Sequence, residues 1–575
     1  MPDAPVDARV AQGPPPPVAP LIDREDALDQ ASGSALDVAV VGGGITGAGI
    51  ALDAASRGLT VALLEREDLA SGTSSRSSKL VHGGLRYLQK HEFGLVHEAV
   101  HERNVLRHIA PHLVRPLAFV VPTAQPLRRQ LVRAGLAIYD AMAAGRNVRT
   151  HRSLDVTGVL AAVPGLVNGI GLGGFRYYDC QTDDARLTLA VAQAARRFGA
   201  LICSHVEAVG LERFRDRVVG VIVRDRLGGG EATVRARWVV SAAGVWADRV
   251  RAMSGAARPP LLTPSKGVHL TFSSSDVRVR DAALIPSGAD DGRLVFAIPW
   301  GRQVIVGTTD EPFDDELDRP TVTAPEAGYL MHAVNTSFGT SLNLHDTLGG
   351  WAGLRPLLRG GAETAASRDL SRRHAVFEDP PGLLTVTGGK LTTYRRMAAD
   401  VVDRIVAADG GHQPCVTDRL ALGPHQTVEH ALTGLRDTCE MLGVDPAHAG
   451  SLLHRHGREA PAVAAFCAER GEAEPLVGGL PYLRGEVRWA VRRELARSLD
   501  DVLQRRMRVS LRERSAGGEA ARWTADVLGE ELGWSRQQRD RQLATYLQRV
   551  RDERGIVPLD LGGGEDPDAE VGVSA

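Results

Sequence analysis

Apolar positions first gather at Asp37-Val38-Ala39-Val40-Val41, a run too short for a helix and lacking the polar-apolar alternation of a half-exposed strand. It predicts a parallel strand buried on both faces. Gly42, Gly44 and Gly47 follow in the spacing G-x-G-x-x-G, and Ala48 to Arg57 supplies small and apolar residues suited to a helix packed closely on a sheet. Leu59 to Leu64 predicts a second strand, with Glu65 at its carboxyl end. Strand, glycine turn, helix, strand and acid make one βαβ unit of about 30 residues, the pattern of a dinucleotide site. Helical spacing dominates from Gly94 to Tyr139, and from about Asp179 short strands and helices alternate again. Trp238 to Gly244 predicts another buried strand ending in a tight turn, and Gly267 to Asp310 carries the alternation of an inserted antiparallel sheet. Leu383 to Thr387 runs into Gly388-Gly389, with a helix expected from about Leu391.

Beyond about Gly411 the pattern turns helical. Val491, Leu495, Leu499 and Val502 fall into one apolar stripe, which predicts a single amphipathic helix. Arginines punctuate Arg484 to Arg514, with Glu486, Glu494, Asp500, Asp501 and Glu513 as partners. The expectation is salt-bridged, solvated faces, with a membrane-surface or subunit contact as the alternative.

Composition narrows the class. The 575 residues are 43% hydrophobic and 24% charged, which is globular rather than disordered or fibrous, and leaves room for two or three domains. A formal net charge of -2 provides no global field for nucleic acid. The five cysteines are odd in number and widely spaced, so neither a disulfide framework nor a zinc ribbon is expected and a reducing cytoplasm fits best. The longest apolar run, Trp238 to Ala247, is interrupted by Ser241 and Gly244 and falls short of the ~20 residues that cross a bilayer. Met1 to about Ser34 is rich in Pro and Ala without a basic start and apolar stretch, and reads as a disordered extension rather than a secretion signal.

The glycine motif presents backbone amides and the positive end of a helix to a pyrophosphate, with Glu65 placed to accept from a ribose hydroxyl; alone it does not separate FAD from NAD. His97-Glu98-Ala99-Val100-His101 matches H-E-x-x-H, but Asn104 and Arg107 stand where the extended zinc motif requires glycine and histidine. No metal site is expected.

Gly72-Thr73-Ser74-Ser75-Arg76-Ser77-Ser78-Lys79-Leu80-Val81-His82-Gly83-Gly84-Leu85-Arg86-Tyr87-Leu88 closely resembles the loop that follows the second strand in aerobic, FAD-dependent glycerol-3-phosphate dehydrogenases, within the D-amino-acid-oxidase-like flavoproteins. The resemblance extends through Tyr178 to Leu187, Ala242 to Trp246, Ser265 to Leu270, Ile298 to Trp300, Gly307 to Asp310, Gly353 to Leu357, Thr387 to Tyr394 and the helical end. It implies FAD as cofactor, with Thr73, Ser74 and Ser75 lining the flavin pocket. Lys79, His82, Gly83, Gly84, Gly244, Leu391 and Thr392 also fall at the cofactor, and the Gly388-Gly389 turn aims amides at the flavin's pyrimidine end. It further implies that Arg86, Tyr87, Arg355 and Lys390 bind substrate, the three cations neutralising a phosphate dianion.

The family's chemistry is oxidation of glycerol 3-phosphate to dihydroxyacetone phosphate by hydride transfer to flavin N5, with electrons leaving to a quinone from an enzyme peripheral to the inner face of the membrane. His269 is the candidate base, Arg355 could stabilise the developing alkoxide, and His82 is an alternative base. A homodimer is compatible with the resemblance. Oxygen as acceptor, an amino-acid oxidase and a flavoprotein scaffold without turnover are the rival readings; the cationic trio speaks against the last two. The implied fold is α/β: a Rossmann-like FAD-binding domain (35–107, 170–252, 370–410), an inserted β-sheet substrate cap (108–169, 253–369), an all-helical C-terminal domain (411–555) and flexible ends (1–34, 556–575).

Overall fold

The structure, a computed structural model, describes residues 22–85, 92–143, 147–169, 171–255, 258–288, 293–359 and 374–560. Helix α1 (Arg24–Gly33) precedes strand β1 (Leu36–Val41), which leads through the glycine turn into α2 (Ile45–Ser56) and β2 (Val61–Leu64). The chain leaves this unit through β3 (Leu80–Val81), α3 (Phe93–Ile109), β4 (Arg115–Pro122), α4 (Pro126–Met142), β5 (Arg152–Leu154), α5 (Val156–Ala162) and β6 (Gly174–Gln181). It returns with α6 (Asp184–Arg197) and β7 (Leu201–Cys203), followed by β8 (Val206–Phe214), β9 (Arg217–Asp225), β10 (Glu231–Ser241) and α7 (Ala247–Ala252). A second excursion comprises β11 (Leu262–Ser273), β12 (Ala282–Pro286), β13 (Leu294–Trp300), β14 (Gln303–Gly307), β15 (Glu311–Pro312), α8 (Ala324–Phe338) and β16 (Thr347–Leu358). Strands β17 (Ala375–Glu378) and β18 (Leu383–Thr387) and helix α9 (Tyr394–Ala408) complete the first sheet.

That sheet runs β17-β18-β10-β1-β2-β7, with β8 and β9 attached through β10. Strands β18, β10, β1, β2 and β7 are parallel, so their carboxyl ends share one edge. Val38 and Val40 face a core shared with α2, α6 and α9, while Ala39 and Val41 face one shared with α1, β8 and β9. Burial on both faces is the reason β1 carries no polar alternation. The second sheet runs β15-β11-β14-β13-β12-β4-β6-β3, with β16 on β11 and β5 on β6. Its β11 pairs antiparallel with β14 and β16, which sets His269 opposite Gly307 on one side and Trp351 on the other.

The C-terminal region is built from α10 (Val428–Met441), α11 (Ala449–His456), α12 (Ala460–Glu469), α13 (Gly485–Arg493), a π-helical segment (Asp501–Arg506), α14 (Val509–Arg512), α15 (Gly518–Leu532) and α16 (Arg536–Arg554). Val491, Leu495, Leu499 and Val502 are all buried, yet they do not lie on one helix. α13 ends at Arg493, and Leu495 takes a left-handed conformation at φ 61° before the π-helical segment begins.

Helix dominates Gly94 to Tyr139 through α3 and α4, with β4 between them carrying Phe119, Val120 and Val121 into the core of the second sheet. Three further expectations need correction. The N-terminal extension does not run to Ser34: α1 buries Ala27 and Ala31, and the Arg24 guanidinium pairs with Asp225 and donates to Ser204 O at 2.8 Å. The tail does not begin at 556, since Val557 is buried in the core beneath the second sheet. The arginines near the π-helical segment are not solvated. Arg505, Arg506 and Arg508 are buried and reach across to the first sheet's loops.

Arg505 Nε donates to Asp68 Oδ2 at 2.6 Å, Arg506 Nη2 to Asp68 Oδ1 at 2.9 Å, and Arg508 Nη2 to Asp183 Oδ1 at 2.7 Å. Arg186 of α6 completes the seam by donating to Glu494 Oε1 at 2.7 Å. Removing one member leaves its partner charged and buried, so Arg506→Ala should cost about 3–5 kcal/mol of stability. The same change at exposed Arg536 should cost under about 0.5 kcal/mol. Parallel urea titrations check this; equal midpoints for the two variants would mean that the seam holds nothing together.

Candidate functional site

At the shared carboxyl edge, β1 turns into α2 with almost no space for side chains. Gly42 takes φ 112°, and a Cβ there would stand 2.6 Å from Ala242 O at the end of β10; a Cβ on Gly47 would stand 1.9 Å from Gly42 O. Only glycine permits this approach, and it brings backbone amides to the edge. Gly44 caps α2, and the first amide of that helix, Ile45 N, donates to Ser74 Oγ at 2.9 Å. Glu65 closes the same turn, accepting from Gly43 N at 2.6 Å and Glu67 N at 2.8 Å. Burial raises its pKa against those two amides. Gly244 opens the turn after β10, and Gly388 and Gly389, at φ 80° and 73°, open the one after β18. Leu391 to Thr393 then form a short 3-10 turn, in which Thr392 Oγ1 accepts from His82 N at 3.1 Å.

The hydroxyl loop, residues 72–79, lies where the sheets and the helical region meet. Thr73 Oγ1 donates to Leu354 O on β16 at 2.6 Å, and Ser77 Oγ donates to Asp184 Oδ2 at 2.7 Å. Ser75 O accepts from Lys79 Nζ and Arg508 Nη1, both at 3.2 Å. Lys79 is fully buried between this carbonyl and Asp184 Oδ1 at 2.9 Å, with Trp300 and Trp351 beside it. Its ammonium therefore braces the loop. Gly83 N donates to Tyr139 OH at 3.0 Å, a hydroxyl held in turn by Asp179, which also pairs with buried Arg103. Gly84 adjoins it at φ 78°.

Across the loop stands His269, buried and stacked on Trp351 with ring centroids 4.9 Å apart. Its Nε2 is 2.8 Å from Ser78 Oγ, and its buried Nδ1 has no partner among the described residues. Burial, then the charges of Arg355 and Lys79, push the imidazole well below the ordinary histidine range, so it is neutral near pH 7. Arg355 is held on β16 by Asp310 Oδ1 at 3.1 Å and by Thr309 O at 3.0 Å. Gly267 leaves it room: a Cβ there would stand 2.3 Å from Nη2. Lys390 sits half-buried in the turn after β18, a strand that packs on β16. Arg86 and Tyr87 lie outside the described residues. His97 and His101 point to solvent from one face of α3.

The structure thus brings His269, Arg355 and the hydroxyl loop together. It adds Ser78, Trp351, Asp310, Asp184 and Arg508, which motif reading did not single out. Asp184 and Asp310 fall inside stretches that carry the resemblance, so that signal was available. Arg508 had none, because its partner Ser75 is 433 positions away.

Residues 37–395 match the FAD dependent oxidoreductase (DAO) family, and residues 415–539 match the C-terminal domain of alpha-glycerophosphate oxidase. The chain is 42% identical over 521 residues to a glycerol-3-phosphate dehydrogenase of Mycobacterium leprae, covering 90% of this chain and 88% of that one. With the mitochondrial glycerol-3-phosphate dehydrogenase of Mus musculus it shares 34% over 547 residues, 90% of this chain and 74% of the mouse protein. The crystal structure of glycerol-3-phosphate dehydrogenase from Bacillus halodurans complexed with FAD superposes with a TM-score of 0.77 at 30% identity, covering 92% of this chain and 97% of that one. The fold alone is shared with L-alpha-glycerophosphate oxidase from Mycoplasma pneumoniae, at a TM-score of 0.54 and 18% identity over 67% of this chain and 97% of that one. A glycine-cradled nucleotide edge, a sheet-borne histidine and arginine, and relatives that align along nine-tenths of its length place the chain in the FAD-dependent glycerol-3-phosphate dehydrogenase family.

Proposed function

We propose that this enzyme oxidises the C2 hydroxyl of sn-glycerol 3-phosphate to the ketone of dihydroxyacetone phosphate, FAD supplying the two-electron acceptor that takes the C2 hydride at N5 and passes the electrons to a membrane quinone. The observation that carries this reading is the buried, neutral His269 beside an arginine fixed by Asp310. A neutral imidazole can accept the hydroxyl proton, and the guanidinium stabilises the alkoxide that forms. Arg86, Tyr87 and Lys390, with Arg355, would hold the substrate phosphate, while His82 is the alternative base.

The residues present fit a dinucleotide. The cradle at Gly42 and Gly47 is one that any Cβ would fill; Gly42, whose own amide donates to Leu64 O at 2.9 Å, would let the pyrophosphate approach, and the amides of Gly44 and Gly47 would receive it. Glu65 would hold the ribose. Thr73, Ser74, Ser75, His82, Gly83, Gly84, Gly244, Gly388, Gly389, Leu391 and Thr392 would hold the flavin half, with Lys79 fixing their loop from behind. The enzyme would work at the cytoplasmic face of the membrane, as a monomer or homodimer; among the described residues no helix is long and apolar enough to cross a bilayer. Oxygen as acceptor is the second reading, favoured by the match of residues 415–539 to an oxidase domain.

Anaerobic titration with glycerol 3-phosphate should bleach the oxidised-flavin absorbance where glycerol and lactate do not; a flavin that stays oxidised would sink the dehydrogenase reading. Peroxide released in air at the rate of turnover would move the acceptor from quinone to oxygen. Gly47→Ala should purify with less than about a tenth of the wild-type flavin, since its Cβ would meet the turn it has to pass. His269 works in its neutral form, so activity falls as pH drops through its pKa, and a lowered pKa moves that fall to more acidic pH. Wild-type kcat/KM should therefore stay level down past about pH 6.5, the ordinary histidine midpoint. His269→Asn should lose about 10²–10⁴ in kcat; a variant within threefold of wild type would move the base elsewhere.

A further inference from the structure

The loop of residues 72–79 comes down onto one face of β11 and β16 through a window of glycines. Side chains two apart on a strand share a face, and the pairing of these strands sets Ser265, Gly267 and His269 opposite Arg355, Gly353 and Trp351. A Cβ on Gly353 would stand 2.4 Å from Arg76 O, so the loop's main chain lies directly on the sheet there. Gly267 gives the same opening to Arg355, whose guanidinium lies over it, two residues along β11 from His269. Five hydroxyls line the loop, and four are committed. Thr73 Oγ1 bonds Leu354 O, Ser74 Oγ accepts from Ile45 N, Ser75 Oγ reaches Gly72 O at 3.4 Å and Ser77 Oγ holds Asp184. Ser78 differs. Among the described residues its hydroxyl has one partner, His269 Nε2 at 2.8 Å, and it is half-buried where its neighbour Lys79 is sealed in. The imidazole has one polar way out. Its Nδ1 is closed to solvent without a partner among the described residues, one ring face lies on Trp351, and a Cβ on Gly307 would stand 2.2 Å from Cδ2. Nε2 is therefore the nitrogen open to a hydroxyl, and Ser78 Oγ occupies it.

We propose that Ser78 is a catalytic residue, the group that takes the substrate's hydroxyl proton and hands its own to His269 Nε2. The assignment rests on the reading of His269 as the base and names the atom through which that base acts. In this step the substrate O–H bond breaks and its proton bonds to Ser78 Oγ, while the serine O–H bond breaks and its proton bonds to Nε2. The electron pair of the substrate O–H bond becomes the second C2–O bond as the C2–H pair leaves as hydride to the flavin. Serine ends as it began, and the imidazole ends as its cation. The relay needs the neutral ring to carry hydrogen at Nδ1 and its lone pair at Nε2, with Ser78 donating inward and its oxygen turned to the substrate. Burial and the charges of Arg355 and Lys79 hold the ring neutral beforehand, and Arg355, on the same face of the sheet, would meet the developing alkoxide. A hydroxyl already at hydrogen-bond length from its base is placed for proton transfer before substrate arrives.

The test uses full-length, FAD-loaded enzyme, with flavin reduction by glycerol 3-phosphate followed anaerobically by stopped flow. Ser78→Ala should slow reduction at saturating substrate by about 10²-fold or more, while its substrate Kd moves by less than about threefold. Ser78→Thr, which keeps the hydroxyl, should come back to within about tenfold of wild type. Flavin content and the oxidised-flavin spectrum should match wild type in both, which shows that the site is assembled. A second readout needs no turnover. Nitrogen NMR spectra of protein isotopically labelled at histidine, with His269→Asn to assign the ring, should show hydrogen on Nδ1 and none on Nε2 near pH 7. A neutral ring carrying its hydrogen at Nε2 would overturn the relay. So would Ser78→Ala reducing its flavin within about threefold of the wild-type rate while His269→Asn falls; substrate would then reach the imidazole directly and the base reading would stand. Both variants within about threefold of wild type would end the base reading and the relay with it.

Discussion

The carboxylates of Asp183 and Asp184, at the start of α6, accept from Arg508 of the helical region and from Lys79 of the hydroxyl loop. Burial alone would raise the Asp183 pKa, yet Arg508 and Lys79 hold it well below the usual carboxylate range. A buried cluster of this kind is stable only when complete, because each ion's desolvation is offset by the others. The site depends on it. Lys79 and Arg508 both grip Ser75 O, Asp184 grips Ser77, and Ser78 at the end of the same loop touches His269. Loop position, and with it the spacing between nucleotide edge and histidine, is set from behind by charges that need touch neither cofactor nor substrate.

Electrostatics also prepares the histidine. Burial first, then the charges of Arg355 and Lys79, keep the imidazole unprotonated. In the mechanism proposed above, the same cations would favour the anion left when a hydroxyl gives up its proton, so a base weak in isolation would work beside charges that stabilise what it produces. Asp310 Oδ1 accepts from both Arg355 Nη1 at 3.1 Å and Ser265 Oγ at 2.6 Å, which fixes the guanidinium beside β11.

What could be read from the chain follows the range of the interaction. The turn at Gly42 and Gly47 was legible because its parts lie within a few residues and each glycine answers a local steric demand. Strand β1 was legible because burial on both faces removes polar residues from it. The break at Leu495 was not, since the stripe from Val491 to Val502 is apolar whether one helix or two carry it. Nor was the burial of Arg505, Arg506 and Arg508: a run of arginines with acids nearby reads as surface, and their partners Asp68, Asp183 and Asp184 lie more than 300 positions away. Asp184 stood in a recognisable stretch, but its task of neutralising Lys79 is visible only once the two are brought together.

That separation bears on how the enzyme comes into being. Ser75 leaves the ribosome early and Arg508 late, so for most of synthesis the loop lacks the donor that fixes it. Lys79 meanwhile has Asp184 but not the third charge that completes the cluster. A chain ended before Arg508 keeps Thr73's bond to Leu354 O and Lys79's to Asp184, but lacks the arginine's bond to Ser75 O and its pairing with Asp183 and Asp184. Completion of the charge cluster behind the loop therefore waits for the last part of the chain to fold.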